Sequence, residues 1–255
     1  MARNSKIEWT DHTVNLWWGC AKVHAGCKNC YAEKIARTYN PKGVESIWGE
    51  SAERRRIKSA FGDLARYQRQ GAKEGKKLRI FVGSMMDIFE DSRPLQNETA
   101  TTGELRDRLF GNITSGMYPN LVFLFLTKRP GNIHKMIPGE WTHGVENVWF
   151  GTSVSNEETM KYADRLVQLK FQNLFLSIEP QIEDIKESSF GHWMDIDWII
   201  QGGESGQIRR AFDIMWAERM RSICRMYSIP YFFKQIDKVH AIPEDMDFKE
   251  FPTFY

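Results

Sequence analysis

The stretch "NLVFLFLTKR", residues 120–129, sets the fold class. Six consecutive apolar residues precede Thr127, Lys128 and Arg129. A strand with one face in water alternates apolar and polar residues, whereas a continuous run is typical of a strand buried on both faces, as in a parallel sheet. Six other runs are also apolar segments that end in small or polar residues: 14–20, 79–87, 147–155, 173–180, 197–206 and 230–235.

Helix-like stretches separate these runs. They occupy residues 31–39, 52–70, 103–113, 156–169 and 215–228, with Asn156 as a predicted N-cap. Alternating strands and helices predict an α/β fold with parallel strands and right-handed crossovers. Seven strands favour a partial or complete (β/α) barrel, and an open doubly wound sheet is the alternative. Because no repeat or linker interrupts the pattern, we expect residues 1–255 to form a single domain.

Polar residues suited to a site follow nearly every run. They are Cys20, Ser84, Asp87, Thr127, Lys128, Arg129, Thr152, Ser153, Glu179, Glu204, Ser205, Lys234 and Gln235. A strand end is often polar simply because it meets water. Charged groups after so many runs nevertheless favour a site at the carboxyl ends of the strands, where α/β barrels carry their active sites.

Composition indicates an ordinary globular protein. The chain has 255 residues, of which 42% are hydrophobic and 27% charged. No apolar run approaches the roughly 20 residues that cross a bilayer, and the first residues lack the apolar core of a signal peptide. We therefore expect a cytoplasmic protein without membrane association, in which stable disulfides are rare and clustered cysteines more often bind metal or perform redox chemistry.

A basic segment lies between the first two predicted strands. Residues 51–79 carry ten Lys or Arg against three Asp or Glu, a local charge of +7 on a chain whose net charge is +2. Such a segment is either a solvated helix face with a Gly-Lys loop or a surface that binds phosphates. The candidate nucleic-acid contacts are Arg54, Arg55, Arg56, Lys58, Arg66 and Arg69.

Three of the four cysteines are clustered. Cys20, Cys27 and Cys30 have the spacing C-x6-C-x2-C directly after the first predicted strand. With His24 as a fourth ligand they would form a zinc site. Three thiolates on a four-iron cluster would instead leave one iron open, and a catalytic thiol would need only one of them. The fourth cysteine, Cys224, falls on the apolar face of a predicted helix and is predicted to lie in the core.

A three-cysteine loop after the first strand of an α/β barrel resembles the radical S-adenosylmethionine (SAM) enzymes. Their usual spacing is C-x3-C-x2-C, so the longer first gap is a departure. Seven motifs in order resemble the phage Gp37/Gp68 family, a domain of unknown function that itself resembles radical SAM enzymes. The motifs are "IEWTDHTVNLWWGCAKVHAGCKNCYAEK", "VGSMMDIFED", "FLTKRP", "WFGTSVSN", "LSIEP", "IIQGGESG" and "IPYFFKQ".

The resemblance implies a radical SAM enzyme that abstracts hydrogen from a nucleic-acid base. Its substrate would be an amino-acid-modified thymidine in phage DNA, isomerised in the host cytoplasm with a reducing electron donor such as flavodoxin. A base in duplex DNA must be flipped out to reach such a site. The alternatives are a radical SAM enzyme acting on RNA or a small molecule, and a zinc-binding nucleic-acid module without catalysis.

The resemblance also implies roles for individual residues. Cys20, Cys27 and Cys30 would hold a [4Fe-4S] cluster, which binds SAM at its open iron. The implied cofactor-binding residues are Gly83, Ser84, Asp87, Thr127, Ser153, Gly202 and Gly203. The implied catalytic residues are Lys128, Glu179 and Glu204. For the "GGESG" stretch, a tight turn between a strand and a helix is the alternative.

Overall fold

Seven parallel strands form one curved sheet in a computed structural model that describes residues 5, 7–39, 43–189 and 193–254. Nine strands occur in the described residues: β1 (His12–Val14), β2 (Trp17–Trp18), β3 (Arg55–Arg56), β4 (Leu78–Val82), β5 (Leu121–Thr127), β6 (Val148–Ser153), β7 (Leu174–Ile178), β8 (Trp198–Gly202) and β9 (Tyr231–Gln235). Of these, β2 and β3 form a separate antiparallel pair outside the seven-stranded sheet. The sheet order is β1-β4-β5-β6-β7-β8-β9, every neighbouring pair is parallel, and the sheet curls into a half-barrel. The predicted partial barrel is confirmed.

Helices connect the strands. They are α1 (Tyr31–Tyr39), α2 (Ala60–Glu74), α3 (Thr102–Thr114), α4 (Ile133–Met136), α5 (Lys161–Val167) and α6 (Ile214–Met226). Side-chain caps fix several starts, since unpaired N–H groups at a helix start need acceptors. Thr101 and Glu104 form a capping box at α3, and Asn156 caps the short 3₁₀ helix before α5, as its sequence predicts.

Side chains on the strands alternate between two apolar layers. Along β5, Leu121, Phe123 and Phe125 pack in the core shared with the helices, whereas Val122 and Leu124 belong to a cluster on the concave face. Both faces are therefore buried, which is why the runs are continuously apolar.

Aromatic rings close the end of the half-barrel formed by the amino ends of the strands. Trp9 and Phe254, from opposite ends of the chain, both pack against Trp198 of β8. The segment before Phe254 also covers the open edge of β9, since Phe233 N–H donates to Phe248 O and Glu250 N–H donates to Tyr231 O. These rings and the segment before Phe254 therefore cover part of the concave cluster at this end.

Two predicted elements were misplaced. The first sheet strand is His12–Val14 rather than residues 14–20, because Trp17–Trp18 instead pairs antiparallel with Arg55–Arg56. The basic segment 51–79 does lie between the first two sheet strands, but its helix begins at Ala60 rather than near residue 52, because the residues before it are held in β3 and in loop contacts. Among the described residues, no helix has the length and apolar character needed to span a membrane.

Candidate functional site

A cavity opens at the carboxyl ends of the strands, as the polar strand ends predict. It encloses about 1030 Å³ including its open mouth. Trp9, Phe81 and Leu126 form an apolar part of its lining. The polar and charged lining residues are Cys20, Cys27, Asn29, Cys30, Tyr31, Ser84, Asp87, Thr127, Lys128, Ser153, Ser177, Glu179, Glu204, Ser205 and Lys234.

The three clustered cysteines are brought together at one side of this cavity. All are free and half-buried. Their loop lies close against the end of β6, because a Cβ atom on Gly26 would lie 2.2 Å from Ser155 Oγ. Within the described ranges, no three His, Cys, Asp or Glu side chains are grouped so as to hold a metal ion. Cys224 is 1% exposed in the core, as predicted.

Arg129 connects Cys20 to the ends of β4 and β5. Its guanidinium donates to Asp87 Oδ2 (3.0 Å) and to the backbone carbonyl of Ala21 (2.9 Å), and it lies 3.8 Å from Cys20 Sγ. Thr127 Oγ1 donates to Asp87 Oδ1 at 2.7 Å and accepts from Arg129 N–H at 2.8 Å. Burial, followed by the charges of Asp87 and Glu90, raises the pKa of Cys20 to about 12.

A second arginine holds the segment that is bonded to the cysteine loop, since Gly49 N–H donates to Cys20 O. Arg54 is 0% exposed and donates to Glu90 Oε1 at 2.6 Å and Oε2 at 2.8 Å. It also donates to four backbone carbonyls, those of Ile47, Gly49, Ala52 and Glu53. Gly19, next to Cys20, has a φ of +119°, and a Cβ there would lie 2.1 Å from Ile47 O. Only glycine fits this backbone conformation and this contact.

Glu204 fastens the loop after β8 to the cysteine loop. Its carboxylate accepts from Asn29 Nδ2 at 2.9 Å and from Arg210 Nη2 at 2.6 Å. Arg210 also donates to Ala25 O at 3.3 Å. Burial alone would raise the pKa of Glu204, but these hydrogen bonds outweigh it and lower the pKa, so the side chain is ionised.

Lys128, Glu179 and Lys234 place charges around the centre of the cavity. Lys234 Nζ pairs with Glu179 Oε1, and the two side chains are 13% and 19% exposed. Lys128 Nζ donates to Ser153 Oγ at 3.2 Å. Ser177 also lines the cavity; it is 1% exposed, and its hydroxyl has no hydrogen-bond partner among the described residues.

A family model described as "Protein of unknown function (DUF5131)" matches residues 4–247. The chain belongs to the DUF5131 family. Searches of curated proteins and of solved structures returned no match. The family assignment agrees with the resemblance to a domain of unknown function and by itself assigns no activity.

In this DUF5131 chain, several of the predicted cofactor-binding residues are hydrogen-bonded to other residues of the protein. The two oxygens of Asp87 already accept four hydrogen bonds, from Phe89 N, Thr127 Oγ1, Lys128 N and Arg129 Nη1. Asp87 and Thr127 therefore organise the strand ends. Ser84 also has partners, since its Oγ accepts from Asn15 and its carbonyl accepts from Tyr31.

The glycines also have structural reasons. Gly83 lines the cavity with a φ of +111°, which turns the chain at the end of β4. A Cβ on Gly203 would lie 2.0 Å from Ile236 O, so this glycine permits close backbone packing beside β9. Gly202 faces Gln235 rather than the cavity. Close backbone packing therefore accounts for both glycines, and Gly203 also lines the cavity with Glu204.

The basic segment does not form one surface beside the cavity. The prediction that Arg54 contacts phosphate is wrong, because its side chain is buried and its guanidinium is already bonded within the fold. Arg55 stacks on Trp18, Arg56 pairs with Glu98 and Arg66 pairs with Asp63. Lys58 and Arg69 are exposed. Arg69 belongs to the half of α2 that leads into β4, and hence lies towards the edge opposite the cavity.

His24, the candidate zinc ligand, is engaged within its own loop. Its Nδ1 accepts from Gly26 N–H at 3.0 Å, and its Nε2 is buried without a partner in the part of the chain that the structure describes. Burial, with Lys128, Arg129 and Lys161 nearby, lowers its pKa to about 3. The imidazole is thus neutral at physiological pH.

Sequence reasoning missed Ser177, Asn29 and Arg210. Ser177 lies within the apolar run of β7, where a small polar residue is compatible with a buried core position. Its alternation with Phe175, which belongs to the concave cluster, is the signal that places it on the concave face. Asn29 and Arg210 are far apart in sequence, and no local pattern joins them.

Proposed function

We propose that this protein is a radical SAM enzyme that uses a [4Fe-4S] cluster and SAM to abstract a hydrogen from a nucleic-acid base. The observation that carries the proposal is the meeting of three free cysteines in one cavity at the carboxyl ends of a parallel half-barrel. A single metal ion needs its ligands within one coordination sphere, whereas a four-iron cluster takes each thiolate on a different iron and so accepts a wider separation.

Three thiolates are the number of protein ligands that this proposal needs. Cys20, Cys27 and Cys30 would each ligate one iron and leave the fourth for SAM. The cofactors together supply hydrogen-atom abstraction, the step that no side chain performs. The protein holds the cysteine loop through Arg129, Arg54 and Glu204, each of which contacts that loop or its support.

The remaining cavity residues would orient the substrate. Lys128, Glu179 and Lys234 offer charged donors and acceptors, while Trp9, Phe81 and Leu126 supply an apolar wall that excludes water from the reaction. The narrower proposal, isomerisation of an amino-acid-modified thymidine in phage DNA with flavodoxin or a similar donor, is supported by the seven ordered motifs alone. Exposed Lys58 remains a candidate for a contact with the DNA backbone.

Anaerobic reconstitution with iron and sulfide tests the cluster. We expect a brown protein with four irons per chain, and loss of that iron in Cys27→Ala. Cys224→Ala is the matched control, because this cysteine is buried away from the cavity. A colourless protein that holds one zinc per chain would refute the proposal and favour the zinc-binding module.

Cleavage of SAM tests the reaction. The reduced, reconstituted protein is expected to release 5′-deoxyadenosine, and to release more when DNA carrying the modified base is present. RNA and the free modified nucleoside serve as separate arms that distinguish the alternative substrates. A loaded cluster without any SAM cleavage would contradict a radical SAM activity.

A further inference from the structure

The cavity lining includes three polar side chains from nearby strand ends. Ser177 lies in β7, Glu179 follows that strand directly, and Lys234 pairs with Glu179 from β9. All three side chains line the cavity that Trp9, Phe81 and Leu126 also line. An apolar surface with a polar wall is the arrangement that recognises a flat ring with hydrogen-bonding groups on its edge.

The three side chains offer different hydrogen-bonding groups. A lysine ammonium only donates, an ionised carboxylate only accepts, and a hydroxyl does either. Glu179 is bonded to Lys234 and directly follows the strand that carries Ser177. The hydroxyl of Ser177 is buried without a partner among the described residues, which costs free energy unless a ligand supplies one.

We propose that Lys234, Glu179 and Ser177 read the imide edge of a uracil-type ring. This inference rests on the proposed function, in which a nucleic-acid base enters the cavity. The imide edge presents acceptor, donor and acceptor: a carbonyl for Lys234, the ring N3–H for Glu179 and the second carbonyl for Ser177. Cytosine and adenine place an acceptor at the centre of that edge, where it would face the Glu179 carboxylate. Guanine, like thymine, places a donor at the centre of this edge, so the binding of the two bases must be compared directly.

Fluorescence anisotropy of labelled single-stranded heptanucleotides measures the reading directly. Each strand has six deoxycytidines, three on either side of one central nucleotide. The central nucleotide is thymidine, 3-methylthymidine, deoxycytidine or deoxyguanosine. We expect the thymidine strand to bind roughly 5- to 150-fold more tightly than the other three, the range for one good edge contact. The binding is measured on the full chain without iron or SAM. Base reading can therefore fail while cluster loading and SAM cleavage succeed, and cluster loading or SAM cleavage can fail while base reading succeeds.

Three variants separate base reading from general binding. Glu179→Met, which keeps much of the side-chain volume but has no acceptor oxygen, is expected to abolish the preference for thymidine over 3-methylthymidine. Ser177→Ala is expected to weaken only the thymidine strand. Ser155→Ala is the matched control, since Ser155 is another buried hydroxyl without a partner among the described residues but lies outside the cavity lining. Equal binding of all four strands by the wild-type protein, equal binding of thymidine and guanosine strands, or full discrimination by Glu179→Met would each overturn the inference.

Discussion

Replacing Arg54 by methionine is expected to lower the free energy of unfolding by about 3–5 kcal/mol, the usual cost of removing one partner from a buried ion pair. Methionine keeps much of the side-chain volume but removes the charge. Glu90 is 1% exposed and would lose both of its hydrogen bonds to Arg54, while four backbone carbonyls would lose their donor. Arg129 Nη2 lies 3.7 Å from Glu90 Oε1 and compensates only in part.

Arg56→Met is the matched control. Arg56 also pairs with a glutamate, Glu98, at 2.8 Å, but the two side chains are 29% and 23% exposed. Partly exposed pairs contribute about 0–1 kcal/mol, because water solvates the separated charges. The double variant Arg54→Met/Glu90→Met is expected to be more stable than Arg54→Met, because it leaves no uncompensated buried carboxylate.

Urea unfolding followed by tryptophan fluorescence measures these differences through the midpoint and the slope. For a chain of this size, 3 kcal/mol also corresponds to a fall of roughly 6–12 °C in Tm. If Arg54→Met and Arg56→Met unfolded at the same urea concentration, the assignment of Arg54 to the buried support of the cysteine loop would be refuted.

Three further predictions follow from single contacts. Arg129→Gln should lower the reduction potential of the reconstituted cluster in a spectroelectrochemical titration, because a hydrogen bond and a positive charge near Cys20 Sγ favour the reduced state; an unchanged potential would contradict this role. The pKa of His24 is lowered to about 3 from 6.5, so the unfolded chain binds the extra proton between these values and stability should fall as the pH drops from 6.5 towards 3. His24→Asn should make the urea midpoint less dependent on pH, by an amount that corresponds to at most one bound proton. An identical pH dependence in the variant and the wild type would argue against this effect of His24. Gly151→Ala should cost about 1–3 kcal/mol in the same unfolding assay, since its Cβ would lie 2.4 Å from the Phe175 ring. Gly111→Ala, with open space around it, should not be destabilising, and an equal cost in both variants would show that packing is not the cause.

Strands buried on both faces were the most predictable part of the fold, since burial alone makes runs such as residues 121–126 continuously apolar. The first strand was the exception. Its three residues, His12–Val14, include only one aliphatic side chain, and the more apolar "LWW" that follows pairs with Arg55–Arg56 instead. Long-range pairing of this kind has no local signal, so propensity favours the wrong segment.

The location of the candidate site residues was predictable from the sequence, but the role of each residue was not. Polar residues at strand ends do line one cavity, because parallel strands bring their carboxyl ends to one edge. Whether each one is free to meet a ligand depends on partners elsewhere in the chain. Asp87 is saturated by residues of β5 and the loop after it, whereas Ser177 is left unpaired. Arg54 illustrates the same limit, since its buried partner Glu90 lies 36 residues away.

The aromatic closure of the half-barrel has a consequence for folding. Trp9 and Phe254, which are far apart in the sequence, both pack on Trp198. Until residues 248–254 dock, the β9 edge lacks its hydrogen bonds to them and the rings of the concave cluster lack part of their cover. A folding intermediate in which this segment is undocked therefore exposes an aggregation-prone strand edge.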